Sequence, residues 1–293
     1  MNITLHNEHL TVVLSTLGAE VQSMKTASGT ELIWQADPAI WGRHAPLLFP
    51  IIGRLKDQSY TLNGKAVSIS QHGFARDTEF TVERQSDTSV TLSMGDSEAT
   101  RAVYPFAFRL SITYRLKGAS LTKSHTVTNC SDVPMPYEIG GHDGFCTDWP
   151  GGGTMSDYSI AFPGLESIQP FGMDENCFLT REKPDYPLTD GALPLPPKVF
   201  GLDTVVLEGL KTKQVTLQSK KSPLRLTMEF SDFDYLGIWT KPVDFDTNYV
   251  CIEPWTTLPE CTFVGSELTD KAGIRVLGSG ESETLAYTIT VEE

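Results

Sequence analysis

Apolar and polar residues alternate with a period of two in several parts of this 293-residue chain. The clearest case is FRLSITYRL at 108–116, in which every second residue is apolar. The same alternation recurs at 10–14, 224–230 and 285–291. A period of two indicates a strand with one buried face, and each such strand needs a second layer over that face.

Helical patterns are short. The best candidate, SEATRAVY at 97–104, allows one or two turns before Pro105 ends them. Strands that recur without alternating helices favour an all-β antiparallel sandwich over a βαβ fold. The richest Pro/Gly stretch, 185–198, is typical of a long loop and not of a linker, so we expect a single domain spanning 1–293.

One hairpin can be placed from its turn. Asn63-Gly64 in YTLNGKAV predicts a two-residue type I′ turn, which fixes the pairing of the flanking strands. Neighbouring strands lie about 5 Å apart. If the ladder continues unbroken, Arg54 and His72 meet at the open end of the hairpin, with Arg76 just beyond; a bulge would change this register.

Charge and cysteine content narrow the function classes. The formal net charge is −14 and no basic patch is visible, which disfavours a nucleic-acid partner. The start of the chain lacks a signal-peptide pattern, and the longest apolar run, APLLFPII, is too short to span a membrane. Five irregularly spaced cysteines are typical of reduced thiols. We therefore expect a cytoplasmic protein without a membrane partner.

His142 lies in the glycine-rich segment EIGGHDGF. The glycines either allow a tight turn or clear space for a ligand to approach the imidazole. His142 is accordingly either a turn residue bonded to nearby backbone or a general acid or base. Cys146 has a metal-compatible spacing from it, but no CxxC pair accompanies them, so a zinc site is not favoured.

Glu253 directly follows an apolar Val-Cys-Ile run and precedes Pro254. The proline predicts that the strand ends here. A partly desolvated carboxylate at this position would have a raised pKa and would act as a base. The alternative is an exposed glutamate at a strand end.

Further candidates are cationic and aromatic. Arg54, His72 and Arg76 are either surface charges or ligands for hydroxyls, carboxylates or phosphates. The tryptophans either stack on a sugar face or fill the core; they are Trp34, Trp41, Trp149, Trp239 and Trp255. The segment DFDTN at 244–248 offers oxygen ligands but lacks the full EF-hand pattern, so no metal site is predicted there.

Several segments together resemble one known family. They run in order along nearly the whole chain, and the main ones are LLFPIIGRLKDQSYTLNGKAVSISQHGFARD, YPFAFRLSITYRL, IGGHDGF, LDTVVLEGL, YLGIWTKP and VCIEPW. This set resembles the aldose 1-epimerase (galactose mutarotase) family, and within it the LacX-type branch. The resemblance implies a galactose mutarotase-like supersandwich with few short helices and an open sugar-binding cleft across one sheet.

The resemblance also implies roles for particular residues. It makes His142 the general acid and Glu253 the general base of an anomer-interconverting isomerase. It makes Arg54, His72 and Arg76 sugar-positioning residues and Asp203 a hydroxyl-binding acid. It implies a hexose or hexose phosphate as the partner, no metal or organic cofactor, and a monomer or homodimer.

One residue departs from the pattern, and other functions stay open. Asp143 stands where a small residue or proline is typical; it either raises the pKa of His142 or points away. The same scaffold could be a non-catalytic sugar-binding module or a hexose-6-phosphate 1-epimerase. A glycosidase or lyase would need a second carboxylate, for which Asp203 is the strongest candidate. The acid and base pair favours the mutarotase.

Overall fold

Strands dominate the computed structural model, which describes residues 1–195, 203–243 and 245–293. The pairings between these strands are antiparallel, and the prediction of an all-β antiparallel fold with few short helices is confirmed. The strands are β1 (Asn2–His6), β2 (Leu10–Ser15), β3 (Val21–Thr26), β4 (Leu47–Leu48), β5 (Ser59–Leu62), β6 (Lys65–Ser68), β7 (Thr81–Gln85), β8 (Ser89–Gly95), β9 (Phe108–Lys117), β10 (Ser120–Asn129), β11 (Met135–Tyr137), β12 (Gly140–Gly141), β13 (Asp143–Cys146), β14 (Tyr158–Ala161), β15 (Ser167–Ile168), β16 (Tyr186–Pro187), β17 (Ala192–Pro194), β18 (Val205–Glu208), β19 (Gln214–Ser219), β20 (Arg225–Glu229), β21 (Tyr235–Trp239), β22 (Tyr249–Trp255), β23 (Arg275–Leu277) and β24 (Ser282–Glu292).

Two large sheets form the sandwich. One has nine strands in the order β17-β14-β19-β20-β24-β10-β9-β8-β7, and the other has the order β18-β21-β22-β12-β4, with β13 also pairing with β22. Their facing sides share one core, to which Ile112 and Ile289 contribute from the first sheet and Val250 and Ile252 from the second. Burying these faces supplies the main driving force for folding, at roughly 25 cal/mol per Å² of apolar surface.

The strands predicted from alternation are confirmed. Every second residue of β9 is buried and the residues between them are exposed or half-buried, and β2, β20 and β24 show similar patterns. The short helix is confirmed too, as α1 (Glu98–Val103). Ser97 and Thr100 form a capping box that satisfies its first backbone N–H groups. Within the described residues no helix is long and apolar enough to cross a membrane.

Among the described residues, the other helical segments are single 3₁₀ turns. They are Lys56–Gln58, Ala75–Asp77, Met155–Asp157 and Leu268–Asp270.

The predicted hairpin forms with the predicted turn. Asn63 and Gly64 have φ values of 52° and 73°, as a type I′ turn requires. The ladder does not continue unbroken, however, because it ends at Ser59 and Ser68 and the 3₁₀ turn at Lys56–Gln58 follows. Beyond that turn the His72 N–H donates to the Gly53 carbonyl, two residues away from the predicted register.

Replacing Gly64 with Val is expected to destabilise the protein by about 1–2 kcal/mol. A Cβ at this position would have no atom within 4 Å, so the cost comes from the positive φ and not from a clash. Urea unfolding measures it. The control is Gly64→Asn, which should lose much less because asparagine tolerates this conformation. Equal losses in both variants would contradict the backbone explanation.

Candidate active site

Strand β22 belongs to the sheet with the order β18-β21-β22-β12-β4 and is buried along its whole length. Its side chains alternate, so that Val250 and Ile252 join the core between the sheets while Cys251 joins a second apolar cluster on the opposite face. The prediction that the strand ends at Glu253 is wrong, because Pro254 lies inside β22. The ladder to β12 and β13 is interrupted opposite Pro254, where a missing N–H is tolerated.

His142 and Glu253 face each other across this interruption. Gly140 pairs with Trp255 and Asp143 pairs with Ile252, and the same register places His142 opposite Glu253. Nε2 of His142 lies 3.4 Å from Oε2 of Glu253. The interpretation of His142 as a turn residue is therefore wrong, because the residue connects strand β12 to strand β13 along the chain.

The glycines around His142 make room for aromatic side chains. A Cβ on Gly144 would lie 2.8 Å from the ring of Trp41, and a Cβ on Gly140 would lie 2.7 Å from the ring of Trp255. Real Cβ atoms essentially never come so close. Trp41 stacks on the imidazole of His142, with ring centroids 5.0 Å apart and planes 25° from parallel. The glycines thus let two indoles approach the floor of the site.

All six predicted site residues line one cavity of about 430 Å³, a size suited to a small molecule. They are Arg54, His72, Arg76, His142, Asp203 and Glu253. Three of the five tryptophans also line it, namely Trp41, Trp239 and Trp255, whereas Trp34 and Trp149 are buried elsewhere. Arg43 lines the cavity as well and was missed, because nothing in WGRHAP distinguishes it from a surface arginine.

Burial moves the pKa values of the pair in opposite directions. It raises the pKa of Glu253 well above its usual range, and the carboxylates of Asp203 and Asp143 act in the same direction. It lowers the pKa of His142 to about 3, and the guanidinium of Arg76 adds to this effect. The two pKa shifts place the exchangeable proton of the ligand-free pair on Glu253 and leave the imidazole of His142 neutral.

His72 is held neutral with a defined tautomer. Its Nδ1 accepts a hydrogen bond from the Gly53 N–H at 3.1 Å, so the ring proton resides on Nε2. The pKa of His72 lies well below its usual range. Burial is the largest cause, and the charges of His142 and Arg76 lower the pKa further. The residue has a φ of 64°, a conformation that costs about 1–3 kcal/mol and is concentrated at functional sites.

The arginines are tethered but keep donors for a ligand. Arg76 donates from Nη2 to the Gln71 carbonyl at 2.7 Å, while its buried Nε has no hydrogen-bond partner in the described structure. Arg43 pairs with Asp77 at 2.8 Å. Arg54 donates to the Asn176 carbonyl at 2.9 Å.

Two acidic residues take different environments. Asp203 accepts a hydrogen bond from the indole N–H of Trp239 at 2.8 Å, and burial raises its pKa. Asp143 points away from His142, because adjacent residues of a strand face opposite sides of a sheet. Its carboxylate accepts a hydrogen bond from the Tyr287 hydroxyl and lies 3.7 Å from Nζ of Lys123. The alternative in which Asp143 points away is therefore confirmed.

The weaker metal interpretations are not supported by the contacts. The Cys146 thiol lies 3.2 Å from the Ile33 carbonyl, and it is Cys251 that lies close to His142. In the 244–248 segment Asp244 lies outside the described residues. The carboxylate of Asp246 accepts hydrogen bonds from the Met155 and Asn248 N–H groups.

Known proteins share this architecture. A family model described as aldose 1-epimerase matches residues 1–268. The chain is 33% identical to the chromosomal protein LacX of Lactococcus lactis subsp. lactis, over 99% of both chains. The structure of a galactose mutarotase related enzyme from Lactobacillus acidophilus superposes with a TM-score of 0.93 at 34% identity, covering 100% of this chain and 98% of the other.

A galactose mutarotase-like protein from Lactobacillus casei superposes with a TM-score of 0.91 at 31% identity, and both chains are covered completely. The matches extend over the strands that carry His142 and Glu253 and over the segments that line the cavity. The chain therefore belongs to the aldose 1-epimerase family.

Proposed function

We propose that the protein is an aldose 1-epimerase, which interconverts the α and β anomers of a hexose. The observation that carries this proposal is the contact of His142 with Glu253, at 3.4 Å, on the floor of a cavity of sugar size. Ring opening of an aldose requires an acid and a base that act on the two oxygens of one anomeric carbon. A buried imidazole and carboxylate in contact meet that requirement.

The reaction proceeds by proton transfer alone. Glu253 removes the proton of the anomeric hydroxyl while His142 protonates the ring oxygen, and the bond from the anomeric carbon to the ring oxygen breaks. The free aldehyde rotates about its bond to the neighbouring carbon. The ring then closes from the other face, with the two groups exchanging roles. In the ligand-free site the shared proton lies on Glu253, so this cycle begins only after binding of the sugar has moved that proton to His142. Each group then contributes roughly 10²–10⁴-fold.

The other cavity residues hold the sugar. The uncharged His72 and the guanidinium of Arg54 donate to hydroxyl oxygens, and Asp203 accepts from a hydroxyl. Trp41 and Trp239 present indole surfaces suited to the apolar side of a pyranose. No step of this cycle requires a nucleophile, a metal or a redox group.

A second candidate is a hexose-6-phosphate 1-epimerase. The observation in its favour is that Arg43, Arg54 and Arg76 line the same cavity, and converging guanidinium groups bind phosphate strongly. Against it, Arg43 is already paired with Asp77, and the carboxylates of Glu253 and Glu260 line the cavity as well. We therefore expect free aldoses to be handled at least as well as their 6-phosphates.

Two experiments test the proposal. The optical rotation of freshly dissolved α-glucose and α-galactose should reach its usual end point faster with the protein than without it. Anomer-exchange NMR then compares both sugars with their 6-phosphates in the wild type, in Arg76→Ala and in the control Arg101→Ala, whose side chain is exposed.

The outcomes separate the functions. A catalytic efficiency at least about tenfold higher for the phosphates, lost selectively in Arg76→Ala, would assign the second candidate. Unchanged rates across aldoses and aldose phosphates would indicate a non-catalytic sugar-binding module. Cleavage of an oligosaccharide would indicate a glycosidase or lyase.

A further inference from the structure

A thiol that the proposed reaction does not use lies beside the acid and base pair. One nitrogen of His142, Sγ of Cys251 and one carboxylate oxygen of Glu253 all lie within 4.8 Å of one another. Cys251 and Glu253 are two residues apart on β22 and so share a face, and His142 is opposite Glu253. We propose that these three residues form a binding site for a thiophilic divalent cation of the zinc class, which inhibits the enzyme by occupying the pair.

The spacing suits a tetrahedral ion. Two ligands of zinc, at about 2.0–2.2 Å from the metal, lie about 3.3–3.5 Å from each other in a tetrahedron. The separation of 3.4 Å between Nε2 of His142 and Oε2 of Glu253 already has this value. Sγ of Cys251 lies within 4.8 Å of a nitrogen of His142 and a carboxylate oxygen of Glu253, and a Zn–S bond of about 2.3 Å requires it to move closer to both. The fourth position of the ion then faces the cavity, which His142 and Glu253 line.

The donor atoms are available and buried. The side chain of Glu253 is 2% exposed, and its Oε2 has no hydrogen-bond partner in the described structure. The ring of His142 is held by the stacked indole of Trp41, which limits the reorganisation that a ligand must undergo. A buried carboxyl oxygen without a hydrogen-bond partner is costly, and a cation that replaces the proton of Glu253 supplies that oxygen with a ligand bond.

The ligand set selects the class of ion. A thiolate, an imidazole and a carboxylate together favour zinc, cobalt or cadmium over magnesium and calcium, which prefer oxygen ligands only. Coordination requires the thiolate of Cys251 and the carboxylate of Glu253, so the thiol proton and the proton held by the His142–Glu253 pair both leave to solvent when the ion binds. The bound ion takes the lone pairs that Glu253 and His142 need for proton transfer, and anomer exchange stops.

Direct metal binding tests the site without relying on turnover. The full chain is treated with EDTA and titrated with CdCl₂, whose bond to a thiolate produces an ultraviolet charge-transfer absorption. We expect one cadmium ion per chain, and we expect Cys251→Ala to abolish the absorption. The matched control is Cys146→Ala, which removes a buried thiol from the neighbouring strand β13 and should leave the titration as in the wild type.

Inhibition of anomer exchange by zinc is the second test of the proposed site. The ratio of rates without and with ZnCl₂ is measured for each variant, and Cys251→Ala should require at least about tenfold more zinc for half inhibition. Absence of the cadmium absorption from the wild type, its persistence in Cys251→Ala or its loss in Cys146→Ala would each overturn the proposal. A chain that binds cadmium through Cys251 but exchanges no anomers would retain the metal site and refute only the epimerase activity.

Discussion

Glu253→Gln is expected to lower the turnover of an aldose by at least about a hundredfold while leaving the fold intact. Glutamine has nearly the shape of glutamate but cannot accept a proton from the anomeric hydroxyl. A hundredfold loss corresponds to about 2.7 kcal/mol of transition-state stabilisation. The variant also removes a buried carboxylate whose pKa burial raises, so its free energy of unfolding should not fall with its activity.

His142→Asn is expected to have an effect of the same size, because it removes the group that protonates the ring oxygen. Turnover is measured by anomer-exchange NMR, and the fold is checked by circular dichroism and thermal unfolding. The control is Glu229→Gln, at an exposed position on β20 in the other sheet. Near-wild-type turnover in either site variant would remove that residue from the mechanism.

The fold could be predicted where strands have one buried face. In β9 and β24 the burial alternates, so the sequence carries the period directly. Strand β22 is buried on both faces, so its sequence shows no alternation of apolar and polar residues. Pro254 was therefore the one sequence signal that suggested where the strand ends. The prediction failed there because the interrupted ladder tolerates the missing N–H, which local sequence does not reveal.

The members of the site could be predicted, but their geometry could not. The 3₁₀ turn at Lys56–Gln58 changed the register of the hairpin, so that His72 pairs with Gly53, the neighbour of Arg54, and both Arg54 and His72 line the cavity. The direction of Asp143 follows from strand alternation, but EIGGHDGF has too few side chains for a strand to be recognised. Arg43 comes to the cavity from a loop, where no periodicity marks the residues that face inward.

The second large effect is expected at Lys123, a buried lysine between the two sheets. Its Nζ lies 3.7 Å from Oδ1 of Asp143, and both side chains are 1% exposed. Lys123→Met should lower the free energy of unfolding by about 3–5 kcal/mol, because it leaves a buried carboxylate without its counter-charge. The hydroxyl of Tyr287 still donates to Asp143 but carries no charge.

The loss in Lys123→Met should depend on pH in a defined direction. Burial raises the pKa of Asp143 although Lys123 opposes it, and removal of the lysine raises that pKa further. When folding raises the pKa of a carboxyl group, folding is disfavoured at any pH at which the same group is ionised in the unfolded chain. Stability is therefore lost as the pH rises above the unfolded value of about 3.9 toward the folded one. Urea unfolding at about pH 5 and about pH 8 should show the larger deficit at the higher pH.

The double variant Lys123→Met/Asp143→Asn distinguishes charge from packing. It removes both charges while asparagine can still accept the hydrogen bond from Tyr287, so most of the lost stability should return and the added pH dependence should disappear. If the double variant is as unstable as Lys123→Met, the loss comes from other contacts of the lysine, among them those of its ammonium group over the rings of Tyr114 and Tyr287. Recovery would mean that Asp143, the neighbour of His142 in the sequence, depends on the ammonium group of Lys123 in the opposite sheet as its counter-charge.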